Sequence, residues 1–219
     1  MEKITDYEEI KENIICRIIN ENNARHLSED VITFGYLDFT VAICVEVPEE
    51  GRYFCLTGKE IKDWGIAKDE IVNIAVDNTY AKNDFRFYSL MCLVELIERY
   101  PLAYIQNPSV LFDVAEKNCL RTEDGLYLVS NSDMRNGACV LLYPKKLDEF
   151  AQRIDSDLII LPSSLNELII LAQKEWTDYG ELSSIVAYVN DSCVSNEELF
   201  TYTIYNYDRS LHKLRAVDV

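Results

Sequence analysis

The chain has only two histidines, His26 and His212, and only seven glycines. So few imidazoles give zinc no support, because four-coordinate sites usually bring their ligands in local pairs. The scarcity of glycine fits the lack of any Gly-x-Gly-x-x-Gly or P-loop pattern, so nucleotide binding through a phosphate-cradling loop is not expected. Basic side chains are few as well. Against 38 acids stand 21 Lys and Arg, a net charge of −17 spread evenly along the chain. Phosphate is repelled by such a field, so direct binding to nucleic acid or to an anionic membrane is not expected. Long apolar runs are missing: nothing approaches the roughly 18 uncharged residues of a membrane-spanning helix. The N-terminus MEKITDYEEIKEN has neither a basic n-region nor an apolar h-region, and a cytoplasmic location is expected.

Seven cysteines are present, an odd number, widely spaced and without a Cys-x-x-Cys pair. Most sit inside apolar patterns, as Cys44 does in TVAICVEV and Cys139 in GACVLLY. A free thiol there behaves as a small hydrophobe, so reduced, buried cysteines are expected.

At 219 residues with 48% apolar side chains, the chain can bury a sizeable core. Thr5 with Glu8 forms a capping-box pattern, and Ile10, Ile14, Ile15, Ile18 and Ile19 repeat at helical spacing, predicting an amphipathic helix to about Asn20. Residues 35–47 alternate as a half-buried strand, PEEG at 48–51 is a turn, and RYFCLTG returns as the second strand of a hairpin. A helix from Thr57-Gly58 to Trp64-Gly65 and another over 67–78 follow. Tyr88–Arg99 is apolar around much of its circumference, which predicts a helix buried between layers, stopped by Pro101. Asn107-Pro108 begins a further helix through Asn118.

Glu123-Asp124-Gly125 reads as a turn, and LYLVSNSDMRNGACVLLYP as two strands joined by a polar loop. A helix at Lys145–Ile154, a strand at Leu158–Leu161, a run at Leu165–Ala172 ambiguous between helix and strand, and a helix at Tyr179–Asn190 complete the pattern. Ser195 with Glu198 repeats the capping box, and TYTIYNYD alternates as a last strand. Strands come as hairpins among helices, so an α+β fold with a mainly antiparallel sheet is expected over a doubly wound one. The expected organisation is a single domain, with sub-lobes at 1–100 and 101–219.

Chemistry-bearing residues are sparse, and no catalytic constellation is expected. Ser163 and Ser164 follow Leu161-Pro162 with Glu167 three residues beyond Ser164, so the pair reads as a helix cap rather than a nucleophile; no Gly-x-Ser-x-Gly elbow surrounds it. Asn166 and Glu167 complete the polar cluster as candidate binding residues. Asp155 and Asp157, with Asp148-Glu149 one helix earlier, lack any cation-loop motif and read as exposed carboxylates. His26 lies in a polar connection and reads as solvated. Tyr202, Tyr205 and Tyr207 alternate along the last strand, a pattern that suits a protein contact better than a base-stacking platform.

The segments ICRIIN at 15–20, Trp64-Gly65-Ile66 with Asn78-Thr79, GACVLLYP at 137–144, LPSSLNEL at 161–168 and YNYDR at 205–209 together resemble an uncharacterised family, the domain of unknown function numbered 5688. Members are common in anaerobic gut bacteria and are often encoded near mobile elements. The resemblance implies a shared fold and supplies no activity. Members usually carry a longer region before the segment matching Ile14, so this chain is expected to be short. They also usually have histidine after the serine pair where this chain has Asn166, so Ser-His chemistry does not carry over.

The expected function is a non-enzymatic protein-interaction or regulatory role with a protein partner and no cofactor. One version is an acidic DNA mimic that blocks a defence nuclease. At ~1.7 Å per duplex charge, the excess would match about 30 Å of duplex, within the span of a domain whose radius of gyration is ~17 Å. The alternative is a hydrolase using Ser163, Ser164 or a cysteine such as Cys139.

Overall fold

A computed structural model of the chain describes residues 6–20, 24–47, 52–119 and 125–218. The chain divides into two compact units, Met1–Asp84 and Phe85–Val219.

In the first unit, α1 (Tyr7–Ile10) is capped by Asp6, whose carboxylate accepts the Glu8 N–H at 3.0 Å. After a 3-10 turn at Lys11–Asn13, the chain extends as β1 (Ile14–Ile19). The helix expected to run to Asn20 is therefore a strand from Ile14 onward. Positions 10, 14 and 18 are spaced by four, which fits one face of a helix and one face of a strand equally. What decides is that Ile15 and Ile19 are also buried, so both faces need cover. Adjacent β-branched residues suit a pleated strand covered on both sides. Thr5 lies outside the described residues.

The run expected as one strand over 35–47 is a hairpin: β2 (Thr33–Tyr36) and β3 (Phe39–Val47) pair antiparallel. Leu37 takes a left-handed φ of 50° in the two-residue turn. Strand β3 is central rather than half-buried. It pairs with β1 on one side, and on the other with β2 and then β4 (Arg52–Cys55). The β3–β4 pairing matches the expected hairpin, although PEEG itself lies outside the described residues.

Next comes α2 (Gly58–Trp64), opened by a reciprocal Thr57–Glu60 capping box and closed by Gly65 at φ 70°. Helix α3 (Lys68–Lys82) packs along β1 and buries Ile71, Ala75 and Thr79.

The second unit is built on a six-stranded antiparallel sheet of order β10-β9-β7-β8-β6-β5. Its strands are β5 (Arg86–Ser89), β6 (Leu126–Ser130), β7 (Leu158–Pro162), β8 (Leu168–Ala172), β9 (Tyr205–Asp208) and β10 (Lys213–Ala216). Because β5 pairs with β6, the helices that follow β5 belong to this unit, and the boundary lies at Asp84 rather than near residue 100.

Three prolines, Pro101, Pro108 and Pro144, occupy first-turn positions of α5 (Pro101–Gln106), α6 (Pro108–Lys117) and α7 (Pro144–Ile154). A missing N–H costs nothing there and the fixed φ suits the helix. Pro101 thus starts a helix as well as ending α4 (Leu90–Arg99). Helix α4 is not buried between layers. Only Leu93 is fully covered, in a cluster with Tyr88, Leu111, Ala115 and Leu128, while Met91 and Val94 remain exposed.

The expected hairpin over 126–143 keeps its first strand, β6, but GACVLL at Gly137–Leu142 is a 3-10 segment. Five successive residues, Gly137 to Leu141, are buried, a pattern that periodicity cannot divide between strand and covered turn. Left-handed Asn136 at φ 56° turns the chain out of extended geometry. Of the preceding turn only Gly125 is described, at φ 71°. Ser195 and Glu198 form a capped turn, the Glu198 N–H reaching Ser195 Oγ at 3.3 Å, without a helix behind it.

The fold is α+β. Among the described residues no helix is long and apolar enough to cross a membrane.

Candidate functional site

A cleft of about 810 Å³ opens in the second unit. Its floor is the loop joining β7 to β8, residues 163–167. Ser132–Met134, following β6, form one side. Tyr104 of α5 with Pro108, Phe112 and Asp113 of α6 form another. Val189 and Cys193 of α8 (Tyr179–Cys193), then Val194 and Glu198, close it.

The floor is set by side chains that imitate backbone. Ser164 Oγ accepts the Asn166 N–H at 3.0 Å, and the Ser164 N–H donates to the Glu167 carbonyl at 3.1 Å. Hydroxyls of this kind close turns as readily as they cap helices. The serine pair therefore closes a hairpin loop, and the helix it was expected to cap is strand β8. This also resolves the ambiguous run at 165–172.

Asn166 is the hub of the loop. Its carbonyl accepts the Ser130 hydroxyl at 2.6 Å and the Gly137 N–H at 3.1 Å, and its Oδ1 accepts the Asn136 N–H at 3.1 Å. Its Nδ2 donates to Glu198 Oε1 at 3.3 Å. Leu165, buried below, receives the Ala138 N–H and donates its own to the Glu198 carbonyl at 2.9 Å.

Glu167 is the charged group of the floor. Burial pushes its carboxyl above the ordinary range; the Ser163 hydroxyl, donating to Oε1 at 3.3 Å, works the other way, and the nearby Glu198 raises it further. Among the described residues no Lys, Arg or His pairs with Glu167 or Glu198. The cation at the rim, Arg86, is shared between Asp113 and Glu116, each at 3.4 Å. The cleft thus combines aromatic and aliphatic walls with two carboxylates, Glu167 and Glu198, that no cation among the described residues neutralises.

Of the sequence-predicted residues, Ser163, Ser164, Asn166 and Glu167 meet in this cleft. The tyrosines do not. Tyr205 and Tyr207 are 0% and 1% exposed, because β9 lies between β10 and β7 rather than at an edge. Tyr205 stacks on Phe200, and the Tyr207 hydroxyl donates to Asp148 at 2.9 Å. Tyr202 precedes the strand, is 46% exposed, and donates to Asp191 at 2.7 Å. A tyrosine surface along the last strand is therefore not present.

The other candidates are placed as follows. Cys139 is fully buried and out of reach as a nucleophile. Asp155 pairs with the Arg209 guanidinium, and Asp157 accepts the Arg209 N–H at 3.0 Å. Asp148 holds Tyr207 and lies 2.8 Å from the His212 ring. His26 is exposed. Among the described residues no group of three or more His, Cys, Asp or Glu could hold a metal ion.

Tyr104, Phe112, Met134 and Val194 were missed as cleft residues. Their apolar character fits helix faces and loop anchors equally well, and only tertiary structure brings them to the serine loop.

No curated protein and no solved structure matches the chain. A family model described as a family of unknown function (DUF5688) matches residues 1–209, running through the first unit and most of the second. The chain belongs to this family, DUF5688.

Proposed function

We propose that the protein is a non-enzymatic interaction protein whose second unit takes a Lys- or Arg-bearing segment of a partner protein into the cleft above the Ser163–Glu167 loop. The observation that carries the reading is the unneutralised Glu167 and Glu198 set among Tyr104, Phe112, Met134 and Val194. A half-buried carboxylate with a second carboxylate nearby is favoured by an incoming cation, and the walls suit the aliphatic stem that carries it. Exposed apolar side chains on the flanking helices, Leu102 and Ile105 of α5 and Tyr188 of α8, enlarge the contact area.

Duplex mimicry asks for a track of free carboxylates. Lys82 with Glu46, Arg86 with Asp113 and Glu116, and Lys146 with Glu149 interrupt such a track, so the general interaction reading is preferred to the mimic.

Affinity capture from native cells, run in parallel with wild-type protein and a Glu167→Gln/Glu198→Gln double variant, tests the reading. The expected result is one stoichiometric partner protein, lost from the double variant and weakened by high salt. Capture indifferent to both changes, or selective labelling of Ser163 by a serine-directed phosphonylating probe, overturns it in favour of another surface or a hydrolase.

A further inference from the structure

The first unit holds a pair of thiols that the cleft reading does not use. Cys44 on β3 and Cys55 on β4 are directly opposite in the antiparallel register. Beyond them the Leu56 N–H donates to the Ile43 carbonyl at 2.8 Å, while the Ile43 N–H donates to the Ile32 carbonyl at 2.9 Å, so the β3–β4 ladder ends at the cysteine pair. Directly opposed residues of an antiparallel pair have Cα atoms roughly 4.5–5.5 Å apart, with side chains on the same face of the sheet. That separation lies within the range a disulfide spans, roughly 4.4 to 6.8 Å. The two Sγ atoms are 2.8 Å apart, both thiols free.

The surroundings differ for the two sulfurs. Cys44 is fully buried beside Ile19 and Ala42, whereas Cys55 is half-buried. Arg17 of β1 lies opposite Ala42, two residues from Cys44 on the same face. Its guanidinium sits 3.7 Å over the ring of Tyr53, the residue two before Cys55. Arg17 Nε is buried and makes no hydrogen bond among the described residues. A fixed cation beside paired thiols is the setting that favours a reactive thiolate. The Cys55 thiol is accordingly held below its ordinary range, chiefly by the Cys44 hydrogen bond, against burial and with help from Arg17. Cys44 is pushed far above its ordinary range, first by that same bond and then by burial.

We infer that Cys44 and Cys55 form a redox-active dithiol site that reduces a hydroperoxide, with Cys55 the attacking thiolate, Cys44 the resolving thiol and Arg17 a positioning residue. Cys55 sulfur attacks the peroxide oxygen, so an S–O bond forms and the O–O bond breaks. The leaving alkoxide or hydroxide takes a proton from water, giving an alcohol or water and a Cys55 sulfenic acid. Cys44 sulfur then attacks Cys55, forming the S–S bond and breaking S–O, and its proton leaves with the hydroxyl as water. The sulfur pair loses two electrons and the peroxide gains them. A small dithiol restores the pair by exchange.

The experiment is peptide mapping of native wild-type protein after one equivalent of hydrogen peroxide. Trypsin cleaves after Arg52, between the two cysteines, so a Cys44–Cys55 disulfide appears as a crosslinked peptide pair. The expected result is that link forming about tenfold faster than oxidation of the exposed Cys193. In Cys44→Ser, a dione probe traps sulfenic acid at Cys55. Replacing Arg17 by Met lowers the thiolate ultraviolet absorbance at neutral pH, and Lys restores it. Cys44 and Cys55 found reduced while Cys193 is oxidised overturns the inference, whatever the variants do. Trapping at Cys44 in Cys55→Ser at an equal rate overturns the assignment of roles.

Discussion

Gly137 lies directly beneath the carbonyl of Asn166: its N–H donates to that oxygen at 3.1 Å, and a Cβ on Gly137 would fall inside contact distance of the same atom. The added methyl would also sit 2.6 Å from Ser130 Oγ and 2.8 Å from Ser130 Cα. Two of these three obstacles are backbone atoms, which cannot rotate away. Gly137→Ala is therefore expected to destabilise the protein by about 1–3 kcal/mol, the usual range for overpacking, and to shift the floor of the cleft. Urea denaturation measures the first effect. Faster amide exchange at Asn136 and Asn166 than in wild type reports the second.

Glu167 makes stability depend on pH in a definite direction. Its folded pKa is raised, chiefly by burial, so the native state favours the neutral carboxyl. The associated stability is complete below the unfolded value of about 4.3 and is lost as pH rises through the folded pKa. Glu167→Gln keeps an acceptor for the Ser163 hydroxyl and removes the charge. Its midpoint in urea should exceed wild type at pH 7 and converge with it near pH 4. A gain that persisted unchanged at acid pH would show that the benefit came from packing instead.

Sequence legibility followed the chemistry of each segment. Thr57-Gly58 and Trp64-Gly65 mark both ends of α2, because a capping side chain and a left-handed glycine are local requirements that neighbours do not change, although Glu60, the other half of the capping box, was not read from the sequence. The start of α6 at Pro108 and the body of α7 were equally visible. Ile14–Ile19 failed because spacing by four satisfies two periods at once. GACVLL failed because burial without alternation carries no period. The serine loop was recognised as a polar cluster, but Ser-x-x-Glu before an apolar run describes a hairpin loop and a capped helix alike, and only the partner strands β7 and β8 distinguish them. The cleft walls were hidden for another reason: Tyr104, Met134 and Val194 are distant in sequence and meet only once the sheet has formed.

In the first unit, Thr79 joins a helix to a sheet. Its Oγ1 accepts the Cys16 N–H of β1 at 2.7 Å and donates to the Ala75 carbonyl at 2.7 Å, fully buried. Thr79→Val keeps the shape and removes the acceptor of the Cys16 amide. The expected loss is about 1–3 kcal/mol, the penalty of a buried donor deprived of its partner. Thr79→Ser should recover most of it, because the hydroxyl is retained. Denaturation midpoints that ranked serine with valine would show that the γ-methyl, not the hydrogen bond, holds α3 to β1.

Asp148 should act on the acid limb of stability, opposite in sign to Glu167. Burial works to raise its carboxyl, but hydrogen bonds with His212, Tyr207 and Gln152 outweigh it and the net shift is downward. A depressed folded pKa gives stability that is present above the unfolded value and lost as pH falls through the folded one. Because the Tyr207 hydroxyl is held in the core of the sheet while the Asp148 side chain is partly exposed, the charge is screened and the effect modest. Asp148→Asn should flatten the fall in urea midpoint below about pH 4. Tyr207→Phe should give part of the same flattening, since it removes one of the hydrogen bonds that favour the carboxylate. If Asp148→Asn lowered the midpoint by the same amount at every pH, the loss would be one of hydrogen-bond geometry rather than charge.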